Sequence, residues 1–471
     1  MIAHIPSGTS VSALAEWLAK SPNLSEGVAL RRGREAFIDT VACCLAGAHD
    51  LVSERVFEAV RSSNIGACSV VGRNETLSAE AAALVNGTAA HALDFDDNFN
   101  PAVTHASAVL VPALLALGEV IGVSGGELLD AYIAGLEVQA WLGRQMIPAH
   151  YAAGWHATST IGTVGVAGAC ARLLRVDAER ACWALSIATS MAGGSKVQFG
   201  TMAKPLHAGL AARAGITAAR LASAGVAGND EPFAGEWGFV ALHHGESLTT
   251  ADRDEAASPG LAIVSAGLAQ KRFPCCASAH RTMDAIITLM SEHLLQAAEI
   301  ERIETVVPDY DYKNMPFDRP KDELQARFSM TYCAAVAALY GRVTLVDFTK
   351  KAVERHNVRD WLDRVSMYSM GTNGDGETGI WELPAVTTLL LKDGKRLKKE
   401  VFQPVGTIHA PISEREMAEK FRDCARRCLC ESETEELYQR LTNLEQEKIC
   451  DIVALIRTKD GARATAASAP R

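Results

Sequence analysis

The chain has 471 residues, of which 48% are hydrophobic and 22% are charged, so it can fill a sizeable core and form roughly two or three domains. Its formal net charge of -10 and pI near 5.8, without a run of basic residues, exclude an electrostatic surface for nucleic acid or an anionic membrane. The twelve cysteines form no spaced framework, and a chain of this size needs no disulfides, so we expect reduced thiols and a cytoplasmic location.

The first part of the chain, residues 1–265, is predicted to form a helical domain. Its apolar segments are long, rich in Ala, Leu and Gly, and repeat at helical spacing, as in "ALLALGEVIGVSGGELLDAYIAGLEVQAWLG". The N-terminal stretch "MIAHIPSGTSVSALAEWLAK" lacks a basic region and carries Glu16, so it predicts a first helix rather than a signal peptide. Gly162, Gly165 and Gly168 indicate close helix packing, because a phosphate loop would need a preceding strand.

The character of the sequence changes after residue 265. "IERIETVVPDY" and "DRVSMYSM" have the alternation or the β-branched content of strands. "AVTTLLLKDGKRLKKEVF" places an Asp393-Gly394 turn between two further candidate strands. We therefore predict a smaller α+β domain at residues 266–407, inserted into a mainly α protein.

The C-terminal part, residues 408–471, is predicted to return to helix. Ser413 and Glu416 have the spacing of a capping box ahead of "MAEKFRDCARRCL". Three cysteines follow in this region, but no matching ligand pair lies at zinc spacing, so we interpret them as thiols carried by helices. The residues from about 460 onwards have the composition of a disordered tail.

Cationic or imidazole side chains stand at three apolar helix entries. Lys204 precedes Pro205, which suits the first turn of a helix, so a lysine stands at the positive helix end. A lysine is unfavourable next to the positive end of the helix dipole, and an anion bound between the two would remove this repulsion. The alternative is a lysine that is simply solvated. In "GWHATSTIGTVG", His156 comes just before a helix start, where the dipole favours a neutral ring.

The third helix entry is in "QKRFPCCASAHRTMDA". Lys271 and Arg272 precede Pro274, and a helix is expected from near Ser278 with His280 in its first turn. Basic groups at three such entries together favour a substrate that carries several carboxylates.

The stretch "HALDFDDNFNPAVTH" concentrates acidic groups and histidines. Continued helix would put His91, Asp94 and Asp97 on one side, with Asp96 pointing elsewhere. The pattern is similar to the magnesium motif of helical isoprenoid synthases, but the nearest second motif, "NDEPFAGE", contains a helix-breaking proline. The alternative to a metal site is that the aspartates from Asp94 to Asp97 cap helices and accept hydrogen bonds from loop N–H groups. His105 follows in "THASA", a loop into a buried helix, where it serves catalysis only if other basic groups converge on it.

The ordered motifs resemble the MmgE/PrpD family over almost the whole chain. They are "FIDTVACCLAG", "ALVNGTAAHALDFDD", "THAS", "GWHATSTIGTVG", "KPLHAG", "KRFPCCASAH", "ARFSMTY" and "PVGTIHAPISEREMAEKF". The resemblance implies a large helical domain made from the N-terminal part and the C-terminal helices, an α+β lid, and a homodimer. It also implies a pocket that uses no metal, no iron-sulfur cluster and no other cofactor.

The resemblance also implies which residues form the site. Its motifs place catalytic or substrate-contacting residues at Asp94, His105, His156, Lys204, Lys271 and Tyr332, and supporting substrate-binding residues at Arg272, Cys275 and His280. Two positions depart from the common pattern. Ala106 replaces a proline often found after the loop histidine, and Cys276 stands where the decarboxylase branch has a histidine. Both departures argue against decarboxylation of cis-aconitate.

The implied activity is that of a cofactor-independent lyase or isomerase, similar to 2-methylcitrate dehydratase, acting on a small di- or tricarboxylate. A proton next to a carboxylate is weakly acidic, so the enzyme needs a positioned base and a stabiliser of the developing charge. We expect His105 or His156 to remove the proton, the other histidine or Tyr332 to act as acid, and Lys204 and Lys271 to stabilise the charge. An epimerase of an amino- or iminodicarboxylate, and a helical dimer that binds a carboxylate without turnover, are the alternatives.

Overall fold

The computed structural model describes residues 10–244, 260–372 and 383–457, and within them the chain folds into two compact units. Unit 1 holds the chain up to Gln198, Ala203–Leu268 and the chain from Ser413 onwards. Unit 2 holds Phe199–Met202 and Ala269–Ile412. The prediction of a mainly α protein with a small α+β part is confirmed. The predicted tail from about 460 lies outside the described residues.

Unit 1 consists of helices and one small antiparallel hairpin. Its helices are α1 (Val11–Lys20), α2 (Gly27–Gly47), α3 (Leu51–Val60), α4 (Ala79–Ala92), α5 (Ala106–Ile121), α6 (Gly125–Met146), α7 (Ala149–Ala152), α8 (Ala157–Leu173), α9 (Ala178–Thr189), α10 (Ala203–Ser223), α11 (Phe239–His244), α12 (Ala262–Ser265), α19 (Glu414–Ala425), α20 (Glu431–Leu441) and α21 (Ile449–Leu455). The hairpin, which the sequence did not lead us to expect, pairs β1 (Ile65–Ser69) with β2 (Thr76–Leu77).

The centre of unit 1 is formed by α4, α5, α8 and α10, which pack against one another. α4, α5 and α8 are apolar on nearly all sides and almost completely buried, as expected for helices inside a core, whereas α10 also has an exposed side. On α8, a Cβ added to Gly165 would lie 2.3 Å from Cγ of Gln139, and one added to Gly168 would lie 2.8 Å from Cγ2 of Val138. The predicted use of these glycines in close helix packing is therefore confirmed.

Helix starts decide where the polar residues of unit 1 lie. His105 and His156 are the N-cap residues of α5 and α8, as the sequence predicts. α10 begins at Ala203, so Lys204 is its second residue and Pro205 its third rather than its first. Pro205 still falls in the first turn, where a missing N–H breaks no helical hydrogen bond. The capping box of Ser413 and Glu416 at the start of α19 is confirmed.

Unit 2 contains a four-stranded sheet and short helices. The helices are α13 (His280–Glu292), α14 (Asp309–Asn314), α15 (Glu323–Ala326), α16 (Met330–Tyr340), α17 (Lys350–Val353) and α18 (His356–Arg359). The strands are β3 (Ile300–Val307), β4 (Val365–Ser369), β5 (Ala385–Leu391) and β6 (Arg396–Val401). The strand order is β4-β3-β5-β6, with β3 and β4 parallel and the other pairs antiparallel. The predicted strands are confirmed, and the turn between β5 and β6 uses Gly394 at φ +87°.

Two further observations bear on the composition-based expectations. Within the described ranges, no helix by itself has both the length and the apolar character to cross a membrane; α2 and α3 together would qualify, but they are bent by 83°. All twelve cysteines are free thiols. Cys424 lies buried on α19, Cys428 is buried just after it, and Cys430 is the N-cap of α20, so these thiols are borne by helices or helix ends.

Candidate active site

Four segments of unit 1 bring ionisable side chains to one place: the end of α4 with the loop behind it, and the starts of α5, α8 and α10. We call this group the histidine cluster; it consists of His91, Asp94, Asp96, His105, His156, Lys204 and His207. The ring centroid of His91 lies 4.2 Å from that of His105 and 6.1 Å from that of His156. Four of the predicted site residues, namely Asp94, His105, His156 and Lys204, thus meet although they are far apart in sequence.

The loop behind α4 differs from the prediction. α4 ends at Ala92, and Asp94 adopts a left-handed backbone conformation with φ 52°. Aspartate is one of the few non-glycine residues that visit this conformation readily. The expectation that Asp96 points away on a continued helix is therefore wrong, because the chain turns before Asp96 and directs its carboxylate at two histidines.

Asp96 is shared by two imidazoles. Its Oδ2 atom lies 2.9 Å from Nδ1 of His91 and 3.1 Å from Nδ1 of His105. Nδ1 of His105 is also 3.0 Å from the carbonyl oxygen of Asp97. Burial would raise the pKa of Asp96, but the two histidines outweigh it by charge and hydrogen bonding and hold that pKa well below its usual value. An ionised carboxylate only accepts hydrogen bonds, so both rings donate from Nδ1 and, when neutral, carry their lone pair on Nε2.

Lys204 provides the positive charge of the cluster. Its Nζ atom donates to Nε2 of His91 at 2.9 Å and to the carboxylate of Asp94. Because an ammonium group has no lone pair, His91 must accept this bond and is neutral. Burial and the charge of Lys204 agree with this, since they lower the pKa of His91 against the opposing effect of Asp96. Lys204 is thus paired with the carboxylate of Asp94, and an anion bound to the free N–H groups at the start of α10 stays a prediction.

His156 and His207 form a second imidazole pair. Their Nδ1 atoms are 3.0 Å apart, so one ring donates and the other accepts. Burial is the main reason why the pKa of His156 is well below its usual value, and Lys204 and His91 add to this effect. Burial and the same neighbours lower the pKa of His207 to about 4. Both rings are therefore neutral near pH 7. Sequence reasoning missed His207, although its position three residues after Lys204 on α10 was an available signal.

Asp97 belongs to a separate buried network. The Ser107 hydroxyl donates to its carboxyl group, and the Ser107 oxygen lies 2.6 Å from the hydroxyl oxygen of Tyr132. Burial raises the pKa of Asp97 to about 7, and the charges of Asp39 and Asp96 act in the same direction. Asp94 and Asp97 thus serve different partners, which does not match the pair of magnesium ligands in the isoprenoid-synthase interpretation.

The raised pKa of Asp97 predicts a pH-dependent stability. The stabilisation of the fold by this buried carboxyl group is full below its unfolded pKa of about 3.9 and is lost as the pH rises through its folded pKa of about 7. The D97N variant does not titrate there. We therefore expect the unfolding free energy of the wild type, relative to D97N, to fall by about 2 kcal/mol between pH 5.5 and pH 8.5 in urea titrations.

The comparison with D97N is necessary because His91, His156 and His207 have lowered pKa values and stabilise the fold as the pH rises. They are common to both proteins and cancel in the difference. The D423N variant, which alters an exposed carboxylate, serves as the control. The difference in unfolding free energy between the wild type and D423N should not change with pH. A constant difference for D97N as well would contradict a buried carboxyl that ionises near pH 7.

The cluster also has the spacing of a metal site. One ligand atom each from His91, Asp94, Asp96 and His105 lies within 4.8 Å of all the others. In this arrangement, however, Lys204 already donates to Nε2 of His91 and to Asp94. A divalent cation would have to displace that ammonium group from both. The donor set therefore accommodates the lysine as its cation.

The other predicted residues belong to unit 2, and their role in the site stays a prediction. Lys271 is 1% exposed, and Nη1 of Arg272 donates to Asp284 at 3.0 Å. Cys275 is fully buried, and its carbonyl oxygen lies 3.3 Å from Nε2 of His280, the first residue of α13.

Tyr332 has an environment that differs from the one expected of a catalytic acid. Its ring lies in the hydrophobic core of unit 2, and its hydroxyl donates to the carbonyl oxygen of Asp347. Burial raises the pKa of this hydroxyl above its usual value. The hydrogen bond and the burial give Tyr332 a packing role in α16, and its role as a catalytic acid stays a prediction.

Comparisons with known proteins cover both units. Residues 12–250 match the model of the MmgE/PrpD N-terminal domain, and residues 273–446 match that of the MmgE/PrpD C-terminal domain. The chain is 31% identical to cis-aconitate decarboxylase from Mus musculus, over 92% of this chain and 90% of that protein. It is 32% identical to the Homo sapiens protein of the same name, over 91% and 90%. It is 26% identical to the cis-aconitate decarboxylase-like protein oryM from Aspergillus oryzae, over 96% and 98%.

Proposed function

Because the chain belongs to the MmgE/PrpD family and is an enzyme of that family, we propose that it is a cofactor-independent lyase whose histidine cluster moves a proton at a carbon next to a carboxylate. The proposed substrate is a tricarboxylate, the class to which cis-aconitate belongs. The observation that carries this proposal is the shared carboxylate of Asp96, which keeps two imidazoles in the tautomer with a basic Nε2.

His105 is the proposed base. Its side chain is 14% exposed, whereas that of His91 is completely buried, so His105 is the better placed of the two to meet a substrate. When Nε2 takes a proton, the imidazolium that forms is stabilised by Asp96 through Nδ1. A positioned acid or base typically contributes about 10²- to 10⁴-fold to a reaction of this kind.

Lys204 is the proposed stabiliser of negative charge. Removing a proton next to a carboxylate produces an enediolate-like anion, which a buried cation stabilises more strongly than water does. Lys204 is held in place by Asp94 and His91, so little reorganisation is needed during the reaction. His156, which is neutral, buried and hydrogen-bonded to His207, is the proposed hydrogen-bond partner of the leaving hydroxyl.

Dehydration is the reaction that we propose first. Nε2 of His105 takes the proton from the α carbon, the bond between the β carbon and its hydroxyl breaks, and the hydroxyl accepts a proton from the imidazolium formed on His105 and leaves as water. Cys276, which stands where the decarboxylase branch has a histidine, and Ala106, which departs from the common family pattern, support this choice.

Decarboxylation is the second candidate, because the relatives reported above are named cis-aconitate decarboxylases. In that reaction the bond to one carboxylate carbon breaks, carbon dioxide leaves, and an imidazolium delivers a proton to the electron pair left on the carbon framework. Epimerisation, in which the proton returns on the opposite face, needs the same groups.

A labelling experiment distinguishes these reactions. The protein is incubated in deuterium oxide with hydroxy-, unsaturated and amino-polycarboxylates, and the products are followed by NMR. We expect deuterium at a carbon next to a carboxylate, together with a changing alkene signal for dehydration or the loss of a carboxyl carbon for decarboxylation. Exchange without net conversion would instead identify an epimerase.

The Lys204→Met variant tests the proposed site in the same assay, and we expect the rate of conversion to fall by about 10²- to 10³-fold. The Lys20→Met variant is the control, because Lys20 is an exposed residue of α1, and it should keep the wild-type rate. If acids raise the melting temperature but none acquires label or is converted, the protein is a carboxylate-binding dimer and not a lyase.

A further inference from the structure

We propose that Lys420, held by Asp39, is a positioning residue that fixes the loop carrying Asp94 and Asp96 and thereby orients the histidine cluster. Asp39 lies on α2 and Lys420 on α19, near opposite ends of the chain. Each lies in a motif that the proposed chemistry leaves unused, namely "FIDTVACCLAG" and "PVGTIHAPISEREMAEKF".

Lys420 connects α2 with this loop. Its Nζ atom lies 2.6 Å from Oδ1 of Asp39 and donates a hydrogen bond of 2.8 Å to the carbonyl oxygen of Phe95. The same atom is 3.9 Å from the centroid of the Phe95 ring. The side chains of Lys420 and Asp39 are 6% and 0% exposed. A buried ammonium group therefore binds the one residue that stands between the two carboxylates of the cluster.

The position of Phe95 explains why this contact matters. The peptide unit that begins with the Phe95 carbonyl continues directly into Asp96, whose carboxylate receives Nδ1–H of His91 and of His105. The preceding residue, Asp94, binds Lys204 from a left-handed conformation. Rotating this peptide would displace both carboxylates together. Displacements of about 1 Å in a catalytic constellation can cost roughly 10²-fold in rate.

Stability alone does not account for the buried ion pair. Taking two charges out of water is costly, and replacing such a pair with apolar side chains of similar volume is often neutral or stabilising. Here Lys420 also donates a hydrogen bond to a loop carbonyl oxygen, and an apolar pair could not make this bond. Orientation of the loop is the property that such a replacement would remove.

The test uses a double variant, D39N/K420M, because K420M alone would leave Asp39 buried without its cation and could prevent folding. The control is D130N/R172M, which removes another ion pair of unit 1, with Nε of Arg172 2.6 Å from Oδ2 of Asp130. Arg172 lies at the opposite end of α8 from His156, about 24 Å away at a rise of ~1.5 Å per residue.

Two measurements are made on each folded variant: hydrogen-deuterium exchange of peptides that cover residues 93–104, and kcat and KM for the substrate found above. In D39N/K420M we expect faster exchange in these peptides and a fall in kcat of about 10- to 100-fold with KM changed less than threefold. In D130N/R172M we expect a lower melting temperature, with wild-type exchange in these peptides and wild-type kcat.

The kinetic part of this proposal rests on the proposed function, whereas the exchange measurement does not. Unchanged exchange of residues 93–104 in D39N/K420M would overturn the positioning role, whatever the activity. An equal loss of kcat in the control would also overturn it, because general destabilisation would then explain the effect. Faster loop exchange in a protein that converts no carboxylate would support the positioning role and refute the lyase assignment.

Discussion

Replacing His105 with glutamine is expected to lower kcat by about 10²- to 10⁴-fold while the fold is retained. Glutamine can still donate from its amide to Asp96 and to the carbonyl oxygen of Asp97, the two acceptors of Nδ1 of His105, but it cannot take a proton. The measurement is kcat and KM with the substrate identified by NMR, together with the melting temperature.

The labelling assay adds a direct check of the base role. If His105 removes the proton, H105Q should lose deuterium exchange at the substrate carbon in step with turnover. His49→Gln is the control, because His49 is a partly exposed histidine paired with Glu54 and should leave both rates unchanged. Exchange at the wild-type rate in H105Q would show that another residue, with His156 the next candidate, removes the proton.

The second large effect is expected for Asp96→Asn, with a fall in kcat of about two to four orders of magnitude. Both His91 and His105 donate to the same Oδ2 atom of Asp96, and the amide oxygen of asparagine can accept both bonds in its place. Asparagine carries no negative charge, however. The imidazolium that forms on His105 in the proposed mechanism would therefore lose the carboxylate that stabilises it.

The matched control for D96N is Asp177→Asn. Asp177 caps α9 by accepting a hydrogen bond from the backbone N–H of Arg180, and asparagine is an equally good N-cap residue. We expect D177N to have the wild-type melting temperature and kcat. A D96N variant with wild-type kcat would mean that the charge of Asp96 does not stabilise a protonated His105.

Local patterns were sufficient to predict most of the secondary structure. The strands of unit 2 alternate or are β-branched, and the Asp393-Gly394 turn needs a backbone conformation that glycine adopts without strain. The helices of unit 1 repeat their apolar residues at helical spacing, and the starts of α5 and α8 lie where the sequence places them. These features depend on residues close together in the chain.

The site was predicted less completely, for a physical reason. His105, His156 and Lys204 stand at helix starts, which have local signals, and they were identified. Asp96 was misplaced because the helix was assumed to continue beyond Ala92, and no rule of spacing shows where a left-handed turn ends it.

The pair of Asp39 and Lys420 shows the same limit more clearly. Lys420 lies in an amphipathic helix pattern, where a solvated charge is the usual interpretation, and Asp39 is the one charged residue in an apolar stretch of α2. Their ion pair forms only because the C-terminal helix α19 returns to α2 in the folded chain. A single sequence has no local feature that reports such a distant contact.

Because one carboxylate serves two imidazoles, His91 and His105 compete for its charge. If His105 is the base and takes up a proton, Asp96 stabilises that ring, and a second proton on His91 is opposed by Lys204 as well. In the proposed mechanism His91, Asp96 and His105 therefore hold one added proton at a time and must release it before the next cycle begins. The inflections of a pH–rate profile would then belong to the three residues as a group rather than to any one of them.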